Sequence, residues 1–207
     1  MGRSYKVNEL FFSLQGEGHW AGHRVLFLRL AGCNMSCPYC DTRHQDGEDV
    51  TLPALIERVD LLHDEHGVET VVVTGGEPFL QLDEALVKAL GKDCGMVVHV
   101  ETNGSLPPPS REIDWITVSP KVPYAQVVEN FRSAGIDELK VVLAPGEQLH
   151  PFPWGDMDCE RAELQFVSPQ FRGDVCPAES MEWAVKQVLD HPEWALTMQA
   201  HKIWGCR

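Results

Sequence analysis

Ala31-Gly32-Cys33-Asn34-Met35-Ser36-Cys37-Pro38-Tyr39-Cys40-Asp41-Thr42 holds three of the seven cysteines of a 207-residue chain, spaced C-x3-C-x2-C. Cysteines scattered at random would give such a triplet in roughly one chain of this size in a hundred, so the cluster has a cause. Three thiolates on a tight loop can hold three corners of an iron–sulfur cube and leave one iron without a protein ligand. A structural zinc ion instead wants four closed ligands, and His44 or Cys94 could complete that set. Both readings stand on the loop alone, and the flanking chain has to separate them.

Upstream, Tyr5 to Phe12 is aromatic-rich and partly alternating, as in a strand. It runs into Ser13-Leu14-Gln15-Gly16-Glu17-Gly18, two glycines flanking a carboxylate, which reads as a turn in isolation. Arg24 to Leu30 is a nearly continuous apolar run of buried-strand length, with Arg29 near its end beside the cysteine loop. A buried arginine needs an anionic partner, whereas an exposed one needs only a surface ion pair.

Downstream, Thr51-Leu52-Pro53 opens a helix whose face carries Leu52, Leu55, Ile56, Val59 and Leu62 and which stops at His66-Gly67. Thr70 to Thr74 is a β-branched strand ending in Gly75-Gly76-Glu77-Pro78. That terminus exposes backbone polar groups and a carboxylate suited to an amino-acid-like ligand end. A helix is expected from Phe79 to Leu90, and strands at Gly95–Val100 and Trp115–Ser119, before Pro120-Lys121. The proline-rich stretch from Leu106 to Ser110 is a rigid loop. Then follow a short helix from Gln126 to Ala134, a strand from Glu138 to Leu143, and an irregular segment to Glu163 with one helical turn. A strand at Leu164–Pro169, a helix at Pro177–Asp190, a strand at Trp194–Met198 and a short tail from Gln199 to Arg207 complete the chain. Strands alternating with helices argue for one α/β domain over residues 1–207 with a parallel sheet. The cysteine loop, Gly75-Gly76-Glu77, Glu101-Thr102-Asn103, Ser119-Pro120-Lys121 and Ser168-Pro169 all fall at strand C-terminal ends, where such folds build their sites.

Composition narrows the classes. A formal net charge of −14 argues against a nucleic-acid backbone as partner, because phosphate binding needs a basic face. No uncharged apolar run reaches the roughly 18 residues of a membrane span. The N-terminus lacks the apolar core of a secretion signal, and seven cysteines without disulfide-like spacing suit a reducing compartment, so a cytoplasmic location is expected.

Taken together these segments resemble the 7-carboxy-7-deazaguanine synthase family of radical S-adenosylmethionine (SAM) enzymes. The likeness runs through Ser13–Gly18, Arg29, the cysteine loop with Asp41-Thr42, Thr74–Pro78, Glu101–Gly104, Ser119–Lys121, Glu138-Leu139-Lys140 and Gln199-Ala200-His201-Lys202. It implies a partial, TIM-like radical SAM barrel of about six parallel strands, trimmed where the crossovers are short. It implies the ring contraction of 6-carboxy-5,6,7,8-tetrahydropterin, a small-molecule pterin, to 7-carboxy-7-deazaguanine with loss of ammonia, on the way to queuosine. Cys33, Cys37 and Cys40 would hold a 4Fe–4S cluster with SAM on its fourth iron, and no side chain would serve as a separate catalytic group. SAM would meet Gly75, Gly76, Glu77, Glu101, Ser119, Pro120, Lys121, Ser168, Pro169, Gln170 and Phe171. The substrate would meet Leu14, Gln15, Gly16, Arg29 and Thr74, with Arg29 facing the C6 carboxylate and Arg207 at the chain end. Thr42 matches a magnesium position. An external electron donor such as flavodoxin and a homodimer complete what the resemblance implies. The competing readings are an activase making a glycyl radical on a partner protein, a zinc-binding interaction module and an iron–sulfur electron carrier, which would want a fourth cluster cysteine. Cys94, Cys159, Cys176 and Cys206 have no cluster-like spacing and read as ordinary thiols.

Overall fold

A computed structural model describes residues 2–40, 42–157 and 164–206, so Asp41, Cys159 and Arg207 lie outside the described residues. The strands form one sheet in the order β3-β1-β2-β4-β5-β6-β7-β8-β9. Six of its parallel members have four or more residues: β2 (Arg24–Leu30), β4 (Thr70–Gly75), β5 (Val97–Thr102), β6 (Trp115–Val118), β7 (Glu138–Leu143) and β8 (Leu164–Pro169). The two-residue β9 (Ala195–Leu196) continues them in parallel. β1 (Ser4–Leu14) and β3 (Glu48–Thr51) extend the other edge antiparallel. The sheet stays open, with β3 and β9 at its two edges, as expected of a partial barrel.

Alternation along the strands sets the two faces. Leu26, Leu28 and Leu30, Val71 and Val73, Val98 and Val100, and Ile116 and Val118 point into the main core under the helices. Among these helices α1 (Leu52–His66) buries Leu55 and Val59, and α4 (Ala178–Asp190) buries Ala184. The opposite face carries the chemistry. Strand register puts Arg29 beside Thr74, Glu101 beside Thr117, and Thr117 beside Glu138. Below that row His19 stacks on Trp115 at 5.4 Å and Trp20 meets Trp115 edge-on at 5.4 Å, so the turn after β1 closes the lower end.

Four expectations are corrected. The helix expected from Phe79 to Leu90 is three short pieces: a 3-10 turn at Pro78–Leu80, α2 (Glu84–Lys88) and a π turn at Ala89–Asp93. The break comes from side chains competing for backbone N–H groups, since Glu77 accepts from Phe79 and Asp83 from Leu86. β3 was not expected, because Glu48-Asp49-Val50-Thr51 has one apolar residue; pairing with β1 creates it, Tyr5 opposite Val50. α3 (Tyr124–Phe131) starts two residues earlier and stops three sooner than its periodicity indicated. The tail folds into α5 (Ala200–Trp204), anchored where the Ala200 N–H donates to the Gly16 carbonyl at 3.0 Å. The expected short crossover is present: β5 reaches β6 through residues 103–114 without a helix. Among the described residues no helix is long and apolar enough to cross a membrane.

Candidate active site

The cysteine loop is docked on the end of β4 by absent side chains. A Cβ on Gly75 would collide with Leu30 backbone, and one on Gly76 with the Gly32 carbonyl and the Cβ of Cys33. Glycine at both positions lets the loop nest there, and the Glu77 N–H then donates to the Gly32 carbonyl at 2.9 Å. Glu77 itself is fully buried. Its Oε1 accepts from Thr102 Oγ1 at 2.8 Å and from the Phe79 N–H at 3.0 Å, and its Oε2 from the Asn103 N–H at 2.8 Å. Burial pushes its pKa up against these three donors. The expected acceptor of a ligand ammonium is therefore a latch between the ends of β4 and β5, and it does not line the cavity. Asn103 carries the latch on to the loop, its Nδ2 donating to Asn34 Oδ1 at 3.0 Å.

Cys33, Cys37 and Cys40 are unpaired thiols on one wall of a cavity of about 370 Å³. Thr42, from the segment between β2 and β3, lines the same cavity with Thr74, Gly75, Gly76, Glu101, Ser119, Lys121, Ser168, Pro169, Gln170 and Phe171, drawn from the ends of β4 to β8. Pro120 lines a neighbouring surface groove with Pro38 and Tyr39 instead. Lys121 Nζ donates to Ser119 Oγ at 2.9 Å and lies 5.5 Å from the Tyr39 ring centroid; burial lowers its pKa. Burial likewise raises the Cys33 thiol, which an electropositive partner would have to offset.

The donor set fits an open cluster. Three thiols share one cavity wall, while Cys94 is buried in the main core and does not line that cavity.

A second cavity, about 730 Å³, shares Thr42, Thr74, Gly75 and Glu101 with the first, and Leu14, Gln15, Gly16 and Arg29 line it. The two are halves of one cleft. Arg29 Nε lies 3.3 Å from Glu9 Oε2, so the guanidinium already has one carboxylate neighbour and keeps further donors. The floor between the halves is a buried charge network. Lys140 Nζ pairs with Glu17 Oε2 at 2.6 Å, while Glu101 accepts from Gln15 Nε2 at 2.9 Å and from Thr74 Oγ1 at 3.2 Å. Burial opposes the Lys140 cation, but Glu17, Glu101 and Glu138 outweigh it and raise its pKa. Burial also opposes the Glu101 anion, and Lys140, Gln15, Arg29 and Thr74 hold it ionised below the usual range.

Glu17 and Lys140 stand inside motifs that give them no role by sequence alone. The available signal was a lysine inside the apolar run Leu139–Leu143 and a carboxylate between two glycines. Gln199, His201 and Lys202 also reach the cleft from α5, which a reading of the tail as unstructured could not place. Lys202 Nζ donates to the Gly173 carbonyl at 2.8 Å and lies 5.2 Å from the Phe171 ring, so α5 closes against the loop after β8.

Residues 28–141 match the model of the radical SAM superfamily. The chain is 37% identical over 202 residues to the 7-carboxy-7-deazaguanine synthase of Bacteroides thetaiotaomicron, covering 98% of each chain. It is 39% identical over 220 residues to that of Bordetella pertussis, covering 98% of this chain and 99% of the relative. Among solved structures, QueE from Escherichia coli superposes with a TM-score of 0.72 at 22% identity, over 96% of this chain and 95% of that one, a likeness of fold.

Proposed function

Because the chain belongs to the radical SAM superfamily and, within it, to the 7-carboxy-7-deazaguanine synthases, we propose that it converts 6-carboxy-5,6,7,8-tetrahydropterin to 7-carboxy-7-deazaguanine with loss of ammonia. The observation that carries this reading is the divided cleft, with three unpaired cysteines on one half and Arg29 with Gln15 on the other. Cys33, Cys37 and Cys40 would hold the 4Fe–4S cluster and leave one iron for the amino and carboxylate ends of SAM. Bound there, cluster and SAM supply one-electron chemistry that removes a hydrogen atom from the substrate.

The protein's part is binding, orientation and exclusion of water. Gly75 and Gly76 offer close backbone approach to the methionyl end of SAM. Glu101, Ser119 and Lys121, with the Ser168–Phe171 segment beyond them, bound the rest of its space. Glu77 and Pro120 act from behind, holding the loops that carry these contacts. Arg29 takes the C6 carboxylate through donors that Glu9 leaves available, and Leu14, Gln15, Gly16 and Thr74 fix the ring edge. Thr42, which lines both halves of the cleft, would share a magnesium ion with substrate oxygens. A one-electron donor such as flavodoxin, a homodimer and a cytoplasmic location belong to the same reading.

The test is anaerobic turnover of reconstituted protein with reductant, SAM, Mg²⁺ and the carboxytetrahydropterin, read by mass spectrometry. Product that disappears in Cys37→Ala supports the assignment together with its cluster. SAM cleavage without that product would leave the superfamily chemistry intact and defeat the substrate.

A further inference from the structure

Glu138 opens β7 on the cleft side of the sheet and is 3% exposed, yet nothing in the proposed chemistry uses it. Its Oε2 accepts from the His19 backbone N–H at 2.9 Å. Its Oε1 occupies the space into which a side chain on Gly18 would project, and Gly18 holds φ at +69°, so carboxyl and turn interlock. From the other side the Gly18 N–H donates to Thr197 Oγ1 at 2.7 Å. One residue earlier in the same turn is Glu17, paired with Lys140, which lies two residues beyond Glu138 on β7.

The charged groups around this carboxyl are Lys140 on its own strand, Glu101 on β5, and Glu17 in the turn. Burial pushes its pKa up to about 7, the His19 N–H and Lys140 acting against that rise and the two carboxylates adding to it.

We propose that Glu138 is a positioning residue: its buried carboxyl braces the Glu17–His19 turn from the sheet side, and so sets where Gln15 and Glu17 meet the substrate. The identity of that substrate rests on the functional reading above; the brace does not. Ionising Glu138 places a third negative charge beside Glu101 and Glu17 around Lys140, which loosens the turn and weakens substrate binding.

Glu138→Gln, Glu138→Ala and Gly18→Ala are compared with the wild-type holoenzyme for KM and kcat across neutral pH. Hydrogen exchange of the His19 amide is followed in protein without substrate. Glu138→Gln keeps an acceptor and loses the charge, so its KM at neutral pH stays within about 2-fold and no longer climbs as pH rises. Glu138→Ala raises KM by about 10-fold with kcat changed by less than about 3-fold, and exposes the His19 amide to exchange. Gly18→Ala raises KM in the wild-type background and much less in Glu138→Ala, where the carboxyl it collides with is gone.

An unchanged KM in Glu138→Ala, or a pH-dependent rise that survives in Glu138→Gln, overturns the proposal. Should Glu138→Ala fail to fold, the pH profile of KM in Glu138→Gln still decides it. A wild-type enzyme acting on a different substrate would defeat the functional reading alone, because His19 exchange does not depend on which substrate binds.

Discussion

The side chains that matter most to this cleft are charged and buried, which is costly unless the charges are matched. Lys140 faces Glu17, Glu101 and Glu138 together, so replacing it by methionine leaves three buried carboxylates without the counter-charge they share. Denaturant unfolding of Lys140→Met is expected to show a loss of about 3–5 kcal/mol. The loss should be smaller in Glu17→Gln/Lys140→Met, where the partner charge is removed too. Glu138 adds a pH dependence of definite sign. Its pKa rises from the usual 4.5 when unfolded to about 7 when folded, so the native state holds an extra proton between those values. The stability it contributes is complete below about pH 4.5 and is lost as pH climbs to about 7, at most ~3 kcal/mol. Unfolding measured at several pH values should show that fall in the wild type and a flatter profile in Glu138→Gln.

At the scale of elements, the glycine–carboxylate terminus of β4 is a joint between the cysteine loop and β5. Gly75 and Gly76 admit the cysteine loop, and Glu77 ties it to the end of β5 through three buried donors. Glu77→Ala strands those donors and should cost about 2–4 kcal/mol by chemical denaturation. Iron content after reconstitution should fall with it, because the loop loses its seat. Retained stability with full iron loading would instead make Glu77 a bystander. Elements with a strong repeat, such as α1 and the six long parallel strands, were legible from periodicity. β3, the broken helix after Pro78, and α5 were not. Each is decided by a partner distant in sequence or by a side chain capturing a backbone N–H, and neither leaves a period in the chain.

For the whole molecule, the net charge of −14 bears on the encounter with an electron donor. A negatively charged flavoprotein donor would be repelled, and salt would screen that repulsion. Stopped-flow reduction by such a donor should therefore accelerate as salt rises from about 0.05 M to about 0.2 M, while reduction by a neutral donor stays flat. A rate that falls with salt would place a local basic patch at the docking face. The sequence by itself determined the fold class, the parallel sheet and the gathering of the cysteine loop with four other strand-end segments at one mouth. Hydrophobic period and glycine placement are local properties, and a parallel sheet puts all strand C-termini on one side. Only the tertiary structure decided that Glu77 faces inward as a latch, that Glu17, Lys140, Glu101 and Glu138 form one floor, and that α5 closes on Gly16. Those facts turn on which side chains burial brings within hydrogen-bond reach across 26, 123 or 184 residues of chain, as in Glu77–Asn103, Glu17–Lys140 and Gly16–Ala200. No local pattern encodes such distances, because the energy that fixes them exists only once water has been expelled from between the partners.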